Sequence, residues 1–268
     1  MSGGMRLAVR GIGVWAPGLP DWTALRAHLD GVASAADAPA RPAAGLLPPA
    51  ERRRAPDTVR LAVEAAAQAV AMSGLDAANL PSVFTSSHGD AKIMDYMCAT
   101  LAEAPAELSP TRFHNSVHNA ASGYWTIATG CRRASNAVCA DGTSFGAGLL
   151  EAATQAVTGN EPVLLAAFDA PGSGPLDEMI PSRVPFACAL VLAPSPATDD
   201  PAALGLRLDA GNAAPSLPQD ARLRELARAN ACGDGLALLE ALARGQTALL
   251  RIPAGEGLVL CVQPGAAA

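Results

Sequence analysis

Aromatic side chains are scarce: 4% of the 268 residues are Phe, Trp or Tyr, although 50% are apolar. The core must therefore be built from Ala, Val and Leu, which suits closely packed layers rather than a few large anchors. No apolar run approaches the ~18 residues a membrane helix needs, and residues 1–17 hold no continuous apolar leader. Cys98, Cys131, Cys139, Cys188, Cys232 and Cys261 form no CxxC and have no His at metal spacing, which argues against a zinc or disulfide framework. Long basic clusters are missing too, and the formal net charge is -6, so nucleic acid is not an expected partner. The single run Arg52-Arg53-Arg54 reads as a solvated loop. These absences predict a reduced, soluble, cytoplasmic protein with no cofactor, no metal and no membrane span.

What is present alternates between strand and helix signals. RLAVRGIGVWA (6–16) reads as a first strand, and DWTALRAHLDG as a short helix capped by Asp21 and closed at Gly31, with His28 at its surface. Residues 33–56 are rich in Ala and Pro and read as a surface excursion. Residues 57–73 form a helix with Val59, Val63, Ala66, Ala67 and Val70 on one side, stopped by Gly74. A strand at 81–86 leads to His88, either a ligand-contacting group just past a strand end or a residue satisfying its own loop. Helix 92–101 places Ile93, Met94, Met97 and Leu101 on one face, read as core. Residues 115–129 read as one apolar helix holding Tyr124 and Trp125, and His114 and His118 share a face if that helix begins early. The Glu of HExxH is missing and no third ligand is evident, so a metal site is not expected there.

Further strands are expected at 163–168, 186–193 and 204–210, then helices at 218–229 and 235–244 and short strands at 248–252 and 258–262. PFACALVLAP is a continuous apolar run, as in a strand covered on both faces. The pattern predicts an α/β fold with a mostly parallel sheet and, because some helices are apolar all round, more than one sheet layer.

Residues 113–170 organise the rest. A buried strand at 136–140 turns through Asp141-Gly142 into a helix at 143–158 whose only charged residue is Glu151. Such an elbow is where many enzymes present a nucleophile, yet neither Asp nor Gly suits that role. Gly146 and Gly148 weaken a helix by roughly 1 kcal/mol each, so they make sense where another backbone comes close.

Four segments carry a resemblance: RRRAPDTVRLAVEAAAQAV, FHNSVHNAASGYWTIATG, SNAVCADGTSFGAGLLEAATQAVTGN and PVLLAAFDAP. They resemble the N-terminal half of β-ketoacyl synthases, in the thiolase-like fold, and most closely the ketosynthase-like proteins that accompany aryl polyene and related type II polyketide or fatty-acid gene sets. The resemblance covers residues 6–210 and fades after 215. It implies a thiolase-like layered α/β half over 5–212, with buried helices, and a truncated C-terminal half whose remnant, 213–268, packs on the same core. In the family a Cys at the elbow carries the acyl group, and two histidines from the C-terminal half assist condensation. Aligned on Thr143-Ser144 and Gly159, this sequence has Gly142 where that Cys belongs, and no His follows His118.

The resemblance therefore implies a non-catalytic subunit of the chain length factor type, paired as a heterodimer with an active ketosynthase and working with an acyl carrier protein. It also implies that the apolar strand ASNAVCA pairs with its mate across a two-fold axis. Phe145, Met94, Met97 and Tyr124 are the candidate apolar contacts. Chain length factors are usually full length, and this chain departs from them in holding one half plus a remnant. Two alternatives stay open. One is a condensing enzyme or acyltransferase using Cys139 with His114, His118 or His88 as base, although a buried Cys139 would be inert core packing. The other is a scaffold or ligand-binding homodimer.

Overall fold

The computed structural model describes residues 4–32, 39–195 and 203–265. Residues 33–38 of the Ala/Pro-rich excursion lie outside them. In chain order the elements are β1 (Met5–Trp15), α1 (Trp22–Leu29), α2 (Pro49–Arg54), α3 (Asp57–Ser73), β2 (Ser82–Thr85), α4 (Ala91–Glu103), α5 (Pro110–His114), α6 (Ala120–Thr129), β3 (Ser135–Val138), α7 (Ser144–Gly159), β4 (Val163–Asp169), α8 (Gly174–Met179), β5 (Phe186–Pro194), β6 (Ala203–Ala210), α9 (Ala221–Arg228), α10 (Gly235–Arg244), β7 (Leu250–Gly255) and β8 (Leu258–Pro264). Among the described residues no helix is long and apolar enough to cross a membrane.

All eight strands join one sheet in the order β3-β2-β4-β5-β1-β6-β8-β7. Only β3, β2 and β4 run parallel; every other pairing is antiparallel, which corrects the expectation of a mostly parallel sheet. The continuous apolar run that suggested parallel strands reports burial of both faces, not strand direction. In β4, Val163, Leu165 and Ala167 enter one apolar cluster while Leu164, Ala166 and Phe168 enter the other. β5 divides the same way, with Phe186, Cys188, Leu190 and Leu192 on one face and Ala187, Ala189 and Val191 on the other.

The small-residue face explains how the scarcity of aromatics is met. A Cβ at Gly11 or Gly13 of β1 would overlap the Ala69 or Ala65 carbonyl of α3, so helix and strand lie backbone against backbone. The α3 boundaries follow from its own signals, an acid in the first turn and Gly74 in the left-handed region (φ 68°) at its end.

On the other face, α7 touches β2, β4, β5 and β1 and also β7 and β8. In a flat sheet β2 and β7 would stand roughly 29 Å apart, six strand spacings, far more than one helix about 10 Å across can bridge. The sheet therefore curls so that β6, β8 and β7 come over α7, and the second layer expected from buried helices is the far end of the same sheet. Leu223, Leu226, Leu236, Leu238 and Leu239 of α9 and α10 join the cluster that holds Phe145 and Leu149 of α7.

Three local expectations are corrected. Residues 115–129 are not one helix: α5 ends at His114, a turn follows, and α6 begins at Ala120. The Ser116 hydroxyl donates to the Phe113 carbonyl and the Ser122 hydroxyl to Asn119, the local side-chain bonds that compete with helix. On α4 only Ile93 of the expected core face is buried, whereas Met94 is 45% and Leu101 51% exposed. β3 is an edge strand with Asn136 and Ala137 exposed, so the strand read as buried has one open side.

Candidate functional site

The three parallel strands end together, and their C-terminal ends gather the chemistry of the chain. After β2 comes the loop Ser86-Ser87-His88-Gly89, after β3 the elbow Cys139 to Thr143, and at the end of β4 Asp169. Open α/β sheets commonly bind ligands at such strand ends.

The elbow is held from several directions. Asp141 sits in the left-handed region (φ 49°), which Asp tolerates better than most residues. The Ser144 hydroxyl donates to the Asp141 carbonyl at 2.7 Å and accepts the Ala140 N–H at 2.9 Å, while the Thr143 hydroxyl donates to the Ala140 carbonyl at 2.7 Å. The Thr85 hydroxyl of β2 donates to the Ser144 carbonyl at 2.8 Å, tying the helix start to the strand beside it. Gly142 is exposed, and a Cβ built there would meet nothing within 4 Å.

Cys139 is exposed, which corrects its reading as inert core packing: it lies beyond the end of an edge strand. Its thiol donates to the Ser87 carbonyl at 3.3 Å. His118 donates from Nε2 to the neighbouring Ser86 carbonyl at 2.9 Å, which fixes its proton on that nitrogen. The two residues therefore approach one loop, yet among the described residues no hydrogen bond joins Cys139 to a histidine. His88 Nε2 is buried without a partner, so its ring does not satisfy the loop it sits in; its backbone N–H reaches Asp169 instead. His114 does not share a face with His118. It is exposed and lines a separate apolar cavity of about 280 Å³ with Leu47, Val117, Tyr124 and Ile127.

Beneath the loop lies a buried network that motif reading missed. The Asp169 carboxylate, 1% exposed, accepts the Ser86 hydroxyl at 2.7 Å, the Ser87 N–H at 3.1 Å and the Cys232 thiol at 3.0 Å. The Asn230 amide donates to the Asp169 and Val184 carbonyls. Burial, reinforced by the adjacent carboxylate, pushes the Cys232 thiol well above its ordinary range, so it stays a neutral donor. Burial likewise pushes Cys188 up to about 12. Neither sulfur is a nucleophile at neutral pH. The signal available in the sequence was a lone acid closing an otherwise apolar strand, VLLAAFD.

The four candidate apolar contacts do not converge. Phe145 is buried in the core beside Gly235, Met94 is exposed on α4, Met97 is half-buried, and Tyr124 faces the cavity of His114. Burial raises the Tyr124 phenol above its ordinary range, partly offset by its hydrogen bond with Asn115.

A family model described as the β-ketoacyl synthase N-terminal domain matches residues 22–253, so the likeness runs well past residue 215, after which the segment resemblance fades. Among solved structures, the ketosynthase ApeO in complex with its chain length factor ApeC from Xenorhabdus doucetiae aligns with 24% identity over 97% of this chain and 99% of that one, at a TM-score of 0.71. The complex AntDE:AntF, a type II polyketide synthase acyl-carrier protein with its ketosynthase bound to the hexaketide, aligns with 14% identity over 98% and 100%, at 0.73. The ishigamide ketosynthase/chain length factor aligns with 14% identity over 97% and 99%, at 0.67. At these identities the likeness is one of fold. No curated protein matches the chain.

Proposed function

The chain belongs to the β-ketoacyl synthase N-terminal domain family, and from that membership we propose that it is a non-catalytic subunit of the chain length factor type. It pairs with an active ketosynthase in aryl polyene-type or type II polyketide biosynthesis in the cytoplasm, with an acyl carrier protein as the further partner. Residues 5–212 then correspond to the N-terminal half and 213–268 to a reduced remnant of the second.

The observation that carries this reading is Gly142. It stands at the nucleophile position with open space around it, so no packing demand accounts for the missing side chain. No His follows His118 to supply the downstream pair either. A fold kept without a side chain at that position supports a role exerted through a neighbour.

The two sheet edges support the pairing. β7 carries Arg251, Pro253 and a register irregularity at 253/255, the devices that keep an edge from accepting another strand. β3, sequence SNAV, has none of them. Beside it α6 exposes Ile127 at 79%, and the preceding turn exposes Val117 at 51%. A strand edge flanked by exposed apolar side chains suits a partner subunit.

Co-expression with a complete ketosynthase tests the reading: a stoichiometric complex is expected, and Ala137→Pro on the outer edge should abolish it. Turnover of an acyl-carrier substrate by the chain alone would overturn it. The exposure of Cys139 favours one second reading, a condensing enzyme or acyltransferase using that thiol. That reading requires an acyl mimic to label Cys139 and to block activity of the isolated chain. A homodimer indifferent to the ketosynthase would instead indicate a scaffold.

A further inference from the structure

We propose that the apolar groove between α2 and α6 binds a neutral alcohol with an apolar body of about ten carbons. The inference needs neither a ketosynthase partner nor the vacancy at Gly142.

One face of α6 makes the groove. Ala121, Ser122 and Trp125 are buried, whereas Ala120, Gly123, Tyr124 and Ile127, three and four positions apart, line the cavity of about 280 Å³ together with Leu47. Gly123 gives it depth. A helix interior disfavours glycine relative to alanine, and a Cβ built at 123 would meet nothing within 4 Å, so no packing contact asks for glycine there. The space is about twice the roughly 150 Å³ that takes up a benzene molecule, which sets the body of the ligand at about ten carbons. Val117, 51% exposed, and Ile127, 79% exposed, form an apolar rim that a bound hydrophobe would cover.

One end of the groove is polar. Glu51 of α2, His114 of α5 and Tyr124 line it, and the same three side chains line an adjoining cavity of about 290 Å³ to which Arg54 and Thr111 also contribute. Glu51 and Arg54 stand 3.8 Å apart, too far for a hydrogen bond, and neither the Glu51 carboxylate nor the His114 ring is hydrogen-bonded among the described residues. An acceptor and a donor of opposite charge therefore lie side by side, each with bonding capacity to spare. An ammonium drawn to Glu51 is repelled by Arg54 and by Arg52 and Arg53 on the same helix, and a carboxylate drawn to Arg54 is repelled by Glu51. A hydroxyl avoids both conflicts, since it donates to Glu51 and accepts from Arg54 or His114. Burial raises the Tyr124 phenol, so that wall stays uncharged at neutral pH.

Titration calorimetry on the purified chain tests the assignment with three probes of equal length and different heads, 1-octanol, octanoate and octylamine. 1-Octanol should bind saturably and about fivefold more tightly than either ion, the size expected of one unfavourable charge contact at a half-exposed site. Gly123→Leu fills the groove from a position with open space around it and should abolish the heat of binding. Gly123→Ala serves where the larger variant does not fold, and should weaken 1-octanol by several-fold. Glu51→Gln should strengthen octanoate binding by several-fold, because Arg54 is then unopposed, an effect that loss of structure would not produce. No saturable binding of 1-octanol, or binding unmoved by both Gly123 variants, overturns the site. Octanoate or octylamine binding as tightly as 1-octanol overturns the neutral head. A groove that takes no 1-octanol, and whose filling in Gly123→Leu blocks assembly with a ketosynthase, belongs to a partner side chain, and that result also overturns the proposal.

Discussion

Gly142 of the elbow and Gly146, in the most crowded part of the helix it begins, are four positions apart, and glycine means different things at the two places. At Gly146 a methyl would overlap the Pro253 carbonyl of β7, and at Gly148 it would lie 2.6 Å from the Thr85 methyl of β2. At Gly142 it would meet nothing. Glycine in α7 is dictated by backbones closing on the helix from both sides of a curled sheet. Glycine at the elbow is dictated by no contact of the fold, which is what the proposed vacancy at a nucleophile position requires. The comparison is quantitative and can be broken at either end.

The largest effect is expected at the crowded end. Gly146→Ala must push β7 off α7 or distort the helix, because the obstructing atom is backbone and no rotamer change relieves it. A loss of about 3 kcal/mol or more is expected from chemical denaturation. Gly148→Ala meets a side chain instead, but moving Thr85 also breaks its hydrogen bond to the Ser144 carbonyl, so about 2 kcal/mol is expected. Stabilities within about 0.5 kcal/mol of the parent for both, the scatter of surface substitutions, would refute the curled-sheet packing.

Next in size is the strand end beside the elbow. Asp169→Ala leaves the Ser86 hydroxyl, the Ser87 N–H and the Cys232 thiol unpaired in a buried site, and a loss of about 2–3 kcal/mol is expected. Cys232 should then become more accessible to a thiol reagent, since its hydrogen bond to the carboxylate is gone and only the Asn230 bond to the backbone carbonyl at 169 still holds this turn against β4. Labelling of the parent protein at Cys232 as fast as at Cys139 would contradict the burial of the one and the exposure of the other.

Much of this contrast was legible in the sequence, though unevenly. α3 runs from Asp57 to Ser73 as read, because an acid at its start and a glycine after its end are local signals. The elbow was legible from Asp141-Gly142 between an apolar strand and an apolar helix. The Asp169 network was not, since its partners lie about 60 to 80 residues away in sequence, at positions no periodicity marks. The direction of β5 was hidden for a similar reason: burial of both faces leaves the same apolar run whichever way the neighbouring strand points. β3 misled because an apolar edge strand has the composition of a buried one. The arginines at 52–54 read as a solvated run because only the fold brings Arg41, Arg60 and Arg112 around Arg53 and Arg54.

A pH effect of intermediate size separates the packed remnant from the open elbow. Burial raises the Asp234 carboxyl at the start of α10 from 3.8 to about 6, and its side chain caps nothing. Because the folded value lies above the unfolded one, its stabilising contribution is full below about pH 3.8 and is lost as pH rises through about 6. Asp234→Asn removes that loss and should raise stability at pH 8 by ~1–3 kcal/mol, with little change at pH 4. Denaturation midpoints at the two pH values check it, and a gain of equal size at both would show that the carboxyl is not desolvated in the fold.

The smallest expected effect is the most informative about function. Gly142 is exposed, and Asp141 rather than Gly142 holds the left-handed conformation of the elbow. Ala therefore fits at 142 without strain and reduces the freedom of the unfolded chain, so Gly142→Ala should raise stability by about 0.5 kcal/mol. Gly142→Cys should fold as well and present a thiol that iodoacetamide reaches, alongside Cys139. If that variant with a ketosynthase partner still forms the complex and still does not condense acyl groups on this subunit, the missing downstream histidines are the deeper loss. A drop of more than about 1 kcal/mol for either substitution would mean that the elbow does require glycine. The empty position would then be an accommodation of the fold, and the inference from an absent side chain to an absent reaction would fail.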